Sequence, residues 1–118
     1  MACRVATRAL EILRDEGMIE NAEKLGNIFR ERMNQLIEKS DLLTLVRGKG
    51  LLNAIVINDS PDSHTAWQLC EDLRDNGLLA KPTHGNIIRF APPLVMTEVE
   101  LHECADIIEK TVLNYKAR

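Results

Sequence analysis

Aromatic side chains are nearly absent: two Phe, one Trp and one Tyr among 118 residues. Any core must therefore be aliphatic, and 45% hydrophobic residues are enough for one domain of this length. A basic excess is also missing. Fifteen Lys and Arg stand against 18 Asp and Glu, a net charge of −3, which removes the electrostatic reason to expect a nucleic-acid partner. No apolar run approaches the roughly 20 residues that cross a bilayer, and no charged-then-apolar segment opens the chain. The chain therefore reads as soluble, intracellular and without a membrane partner. Cysteine is scarce, with Cys3, Cys70 and Cys104 far apart, odd in number and without a CxxC pair. That excludes a disulfide framework and a zinc site and favours a reducing compartment. His64, His84 and His102 are scattered too, so no metal is expected.

What is present is a regular alternation of elements. Residues 3–16 place Val5, Ala9, Leu10 and Leu13 on one helical face, with Gly17 as a stop. A second amphipathic helix spans Met18 to Glu38, carrying Ala22, Leu25, Phe29, Met33 and Leu36 on its apolar stripe. Leu42–Val46 reads as a strand, Arg47-Gly48-Lys49-Gly50 as a tight glycine turn, and Leu51–Ile57 as a second, apolar strand. Asn58–Asp62 is a loop, and Asp62 or Ser63 is positioned to cap a helix from His64 to Asn76. Gly77 supplies its left-handed stop. Leu78–Ala80 and Ile87–Phe90 flank Pro82-Thr83-His84-Gly85-Asn86, the pattern of a β-hairpin. Thr97 and Glu100 form a capping box before a last helix with Leu101, Cys104, Ala105, Ile108 and Val112 on one face.

The order α-α-β-β-α-β-β-α defines an α+β fold. It is a small, mostly antiparallel four-stranded sheet with helices on one face. Such a sheet has little room for every helix, so the segment 1–17 is expected to be a connecting helix that packs on something this chain lacks. Residues 18–118 then form the domain proper. Cys70 and Cys104 fall on apolar stripes and read as structural thiols.

The chemistry-bearing residues are few. No Ser/His/Asp arrangement and no isolated carboxylate pair occurs. Lys81 ends an apolar run before Pro82, but a Schiff-base lysine needs a desolvated pocket, and a solvated strand-end lysine is the commoner outcome. Gly48 and Gly50 beside Arg47 and Lys49 hint at a phosphate cradle. With no third glycine and no following helix, strand geometry is the better reading. Arg89 stands out as the one charge inside its strand, with Pro92-Pro93 closing the exit. It is placed either for a surface ion pair or to present a guanidinium fork to a carboxylate.

VRGKGLLNAIVI (46–57), LRDNGLLAKPTHGNIIRFAPPL (73–94) and CRVATRALEILRDEGMIENAEKLG (3–26) resemble the C-terminal end of the ornithine aminotransferases. These are class III, fold-type-I transaminases dependent on pyridoxal phosphate. The resemblance implies the C-terminal small domain of such an enzyme. It also implies transfer of the δ-amino group of ornithine to 2-oxoglutarate, giving glutamate semialdehyde and glutamate. Arg89, in the IRFAPPL segment, is the position where the family binds the α-carboxylate of glutamate or 2-oxoglutarate. The resemblance assigns no catalytic and no cofactor-binding residue here. The Schiff-base lysine, the pyridinium-pairing aspartate and the phosphate loop are all expected upstream, in a large domain.

The family further implies a homo-oligomer and a mitochondrial matrix location. On this reading the isolated chain is inactive. Two alternatives stay open: a free-standing, non-catalytic module that binds an amino or oxo acid through Arg89, and a fragment of another class III transaminase of acetylornithine or 4-aminobutyrate type.

Overall fold

The computed structural model describes residues 1–118 as four helices and four strands in the expected order. Helix α1 spans Ala2–Asp15 and α2 spans Met18–Lys39; strands β1 (Leu43–Lys49) and β2 (Leu52–Ile57) follow. Helix α3 (Thr65–Asp75), strands β3 (Lys81–Thr83) and β4 (Ile87–Phe90), and helix α4 (Glu98–Leu113) complete the chain. The sheet order is β1-β2-β4-β3, and every neighbouring pair is antiparallel.

Strand alternation divides the sheet into two unlike faces. Val46, Ile55 and Ile88 lie in one row across β1, β2 and β4, and all three are buried. They join Leu25, Phe29, Met33 and Leu36 of α2, Leu69 and Leu73 of α3, and Leu101, Ala105 and Ile108 of α4 in one aliphatic core. The scarcity of aromatics is visible there: Phe29 against Phe90, ring centroids 5.6 Å apart, is the core's one aromatic pair. The opposite sheet face carries no helix, and Leu45, Arg47, Lys49, Leu52 and Arg89 are exposed on it.

The structure lengthens β1 relative to the expected turn. Arg47, Gly48 and Lys49 are strand residues paired with Ala54, Asn53 and Leu52, and the reversal is confined to Gly50 and Leu51. The reason is steric. A Cβ on Gly48 would lie 2.2 Å from Asn53 Oδ1, so glycine lets the strand run on beside Asn53. Gly50 turns the corner at φ +54°, and its carbonyl accepts bonds from Arg30 (3.0 Å) and Asn53 (3.1 Å). These glycines serve strand and turn geometry, and no helix N-terminus opens there.

The hairpin is also displaced. Leu78–Ala80 is not a strand; β3 begins at Lys81, and the turn is His84-Gly85-Asn86. Leu78 is committed elsewhere, because its N–H bonds Leu73 O (2.9 Å) while the Gly77 N–H bonds Arg74 O (2.9 Å). With Gly77 at φ +96°, this closes α3 in a Schellman motif and buries Leu78 against the core. Pro82 is tolerated because β3 is the edge strand.

The N-cap of helix α3 lies one residue past Ser63 and two past Asp62, the expected caps. His64 is its N-cap, without a side-chain bond, and neither Asp62 nor Ser63 caps it. The local anchor is Asp59, whose carboxylate accepts from the Thr65 hydroxyl and from the Ser60 N–H (2.7 Å). At α4 the capping box forms as read: Glu100 N–H donates to Thr97 Oγ1 (3.3 Å) and Thr97 N–H to Glu100 (2.8 Å).

Two ties fix the remaining edges. Arg32 of α2 bonds Asp106 (2.6 Å), Glu109 (3.2 Å) and the His102 carbonyl (3.1 Å) of α4. Gln68 of α3 receives Tyr115 Oη (3.1 Å) and donates to Lys116 O (2.9 Å), which folds the C-terminal tail back over α3. Helix α1 has no such ties: it lies against α2, yet none of its residues is buried.

Candidate functional site

Arg89 sits in β4 between the buried Ile88 and Phe90, so alternation turns its side chain to the bare face of the sheet. It is exposed, and no carboxylate lies within 4.0 Å of it. The surface ion pair considered from spacing is therefore not formed. Pro92-Pro93 ends the strand three residues on, and Asn21 Nδ2 bonds the Leu94 (3.0 Å) and Met96 (2.9 Å) carbonyls. The backbone that follows Arg89 is thereby tied to α2.

The hairpin that carries Arg89 is held from its other end as well. Asn86 Nδ2 donates to the Ile57 carbonyl (3.1 Å), and Ile57 N–H donates to Asn86 O (2.7 Å). Gly85 packs onto the 58–62 loop so tightly that a Cβ would stand 2.1 Å from Pro61 O.

Lys81 and Arg47, dismissed from spacing as a solvated lysine and a turn residue, occupy the same face as Arg89. Lys81 is directly opposite Arg89 across β3 and β4, and both Arg47 and Arg89 are register partners of Ala54. Both are exposed and, like Arg89, have no carboxylate partner. The signal that could have found Arg47 was the strand alternation Leu45-Val46-Arg47, which continues across Gly48.

Away from this face the polar side chains serve the fold. Burial pushes the Cys70 thiol up to about 11, and burial followed by the charges of Glu103 and Glu100 raises that of Cys104. Both read as structural, whereas Cys3 is exposed. Arg30 is half-buried and spent on Asn53 (2.7 Å), Asn27 (2.9 Å) and Gly50 O. An apolar cavity of about 320 Å³ lies on the core side, lined by Phe29, Leu51, Phe90, Pro92, Met96 and Cys104. It is separated from Arg89 by the sheet itself. All six lysines are exposed, so none occupies the desolvated pocket a Schiff base requires. The residues of this chain do not fit a pyridoxal phosphate site of their own.

The arrangement is that of an α+β domain presenting an exposed, unpaired arginine from a hairpin held at both ends. The aminotransferase class-III family model matches residues 1–112, and the chain belongs to that family. Among curated relatives it is 56% identical to the mitochondrial ornithine aminotransferase of Rattus norvegicus over 98% of this chain and 26% of the relative. It is 54% identical to that of Drosophila melanogaster over 97% of this chain and 25% of the relative. Among solved structures it matches an acetylornithine aminotransferase from Elizabethkingia anophelis at 66% identity and a TM-score of 0.93. That match covers 97% of this chain and 28% of the other. The chain thus spans about a quarter of the length of the relatives it matches.

Proposed function

We propose that the chain is the C-terminal portion of an ornithine–oxo-acid aminotransferase, with Arg89 as its substrate-binding residue. The whole enzyme would move the δ-amino group of ornithine to 2-oxoglutarate, giving glutamate semialdehyde and glutamate. Pyridoxal phosphate, held by a large domain, would supply the electron sink for that exchange. This chain contributes carboxylate recognition: a planar, permanently charged fork from a braced strand meets a planar anion in two parallel hydrogen bonds. The observation that carries this reading is the unpaired guanidinium of Arg89 on the bare sheet face, within a segment shared with ornithine aminotransferases.

Residues 1–17 are, on the same reading, the helix that joins the two domains. In support, α1 keeps Val5 and Leu10 exposed and buries nothing. The bare sheet face and α1 would be covered by the large domain and a partner subunit of a homo-oligomer. The isolated chain is then expected to self-associate with rising concentration; a concentration-independent monomer in sedimentation would count against this. A mitochondrial location is part of the proposal and rests on the rat and fly relatives.

A second reading, an acetylornithine-type enzyme, is favoured by the 66% identity to the Elizabethkingia protein. The two differ in whether the amino donor's α-nitrogen is free or acetylated. The third possibility, a free-standing module that binds an oxo acid without turnover, needs only this chain.

The deciding experiment is the native mass of the polypeptide containing IIRFAPPL in its source cells. A species about four times the length of this chain is expected, consistent with a chain covering 26% of its relative. It should turn over ornithine faster than acetylornithine, whereas the purified 118-residue chain should turn over neither. A native species of 13.3 kDa would overturn the enzyme reading in favour of the module.

A further inference from the structure

Asn76 is the one asparagine of the chain that is followed by a glycine. Such a pair carries its own reaction. The glycine amide nitrogen, unhindered by a side chain, attacks the asparagine Cγ and closes a five-membered succinimide ring. The N–Cγ bond forms, the Cγ–Nδ2 bond breaks, and Nδ2 leaves as ammonia with the proton that the amide gives up. Water then opens the ring at one of its two carbonyls. Opening at Cγ leaves aspartate; opening at the main-chain carbonyl leaves isoaspartate, with the backbone rerouted through Cβ and Cγ. Water is the only other reactant, and both residues are exposed to it.

The fold opposes this reaction in three ways. The attacking group, Gly77 N–H, donates to Arg74 O (2.9 Å) in the motif that closes α3. The leaving group, Asn76 Nδ2, donates to Asp72 O (2.8 Å) and reaches Thr111 Oγ1 of α4 (3.4 Å). The third obstacle is the torsion between them. At the Asn76 ψ of 4° the Gly77 nitrogen eclipses the Asn76 nitrogen, and so stands about a third of a turn from Cβ around a tetrahedral Cα. A planar ring needs that nitrogen eclipsed with Cβ instead. Closure therefore requires ψ to rotate, which breaks the Gly77 and Leu78 bonds to α3 together.

We propose that Asn76-Gly77 is a self-modification site whose deamidation is gated by the C-terminal cap of α3. The reaction proceeds from molecules in which the end of α3 has opened, and its product hinders reclosing. Aspartate at this position loses the donor to Asp72 O and adds a carboxylate beside Asp72 and Asp75, at a helix end that favours positive charge. Isoaspartate lengthens the main chain inside the motif that bonds Leu78 to Leu73 O and seats it in the core. The site is independent of which substrate the whole enzyme takes.

Peptide mass spectrometry of the 118-residue chain tests this, with incubation at mildly alkaline pH in buffer and in guanidinium chloride. In denaturant Asn76 should convert before every other asparagine, and Gly77→Ala should suppress it. In buffer conversion should be about tenfold slower or more, because it waits on local opening. Thr111→Val removes one acceptor at constant shape; it should speed conversion in buffer and leave the rate in denaturant unchanged. Alkylation of the buried Cys70 reports global unfolding in the same samples. Conversion in buffer without Cys70 labelling is expected. Equal rates in buffer and denaturant, no effect of Thr111→Val, or conversion that tracks Cys70 labelling would overturn the gate. Earlier conversion of another asparagine in denaturant would overturn the site. Asn76→Asp should lower the urea midpoint, and an unchanged midpoint would overturn the claim that the product hinders reclosing.

Discussion

Gly26, midway along α2, touches the carbonyl of Gly50 in the β1–β2 turn: a Cβ at position 26 would lie 1.9 Å from that oxygen. The same oxygen receives Arg30 and Asn53, so the turn docks on α2 through one acceptor and one missing side chain. This contact sets the height of β1 and β2 against the helix, and β2 carries Ala54, the register partner of both Arg47 and Arg89.

Gly26→Ala should consequently destabilise, although alanine is the better helix former. Overpacking against backbone that cannot swing away costs about 3 kcal/mol, the upper end of the usual range. Urea unfolding should show a lower midpoint with an unchanged slope. A neutral or stabilising effect would mean that α2 and the turn slide apart freely.

Acid should loosen the α2–α4 contact. Lys39, then Arg32, holds Glu109 below the usual carboxylate range; Lys24, then His102, does so for Glu98; and the Thr97 N–H does so for Glu100. A carboxyl depressed in the folded state binds its proton more readily when unfolded. Its contribution is thus present above the ordinary Glu value of about 4.3 and is lost as pH falls through that value and then through the lower folded one. Thermal midpoints should drop across that window, and Glu109→Gln should flatten the drop. An identical acid slope in the variant would show that Glu109 is not linked to folding.

Thiol reactivity should follow burial. Cys3 on α1 is exposed, Cys104 is half-buried with its thiol raised, and Cys70 is buried with a value near 11. Alkylation at mildly alkaline pH should label Cys3 first, Cys104 slowly and Cys70 only on unfolding. Mass spectrometry of a time course gives the order directly, and early labelling at Cys70 would contradict the packing of α3.

The elements legible in the sequence were those with a local cause. The stripe of α2 is a 3.6-residue period, Thr97 and Glu100 satisfy each other's backbone within one turn, and Gly77 adopts a conformation few other residues accept. The errors occurred where a distant partner overrode local chemistry. Arg47-Gly48-Lys49 resembles a turn but is strand because Asn53 requires a neighbour without a side chain. Leu78–Ala80 has the apolar character of a strand, yet Leu78 is used to close α3, which shifts the pairing three residues on to Lys81. Arg89 itself was legible as an isolated charge inside a strand.

The sequence by itself determined the element order, the aliphatic core and the family, because periodicity, caps and a specific run of motifs are properties of neighbouring residues. Only the tertiary structure decided which cations stand together. Arg47, Lys81 and Arg89 come from strands far apart in the chain, and their common row exists because burial of Val46, Ile55 and Ile88 locks the register. A slip of one residue would turn a core side chain to solvent, so the same burial that holds the sheet also aligns the charges on its other face.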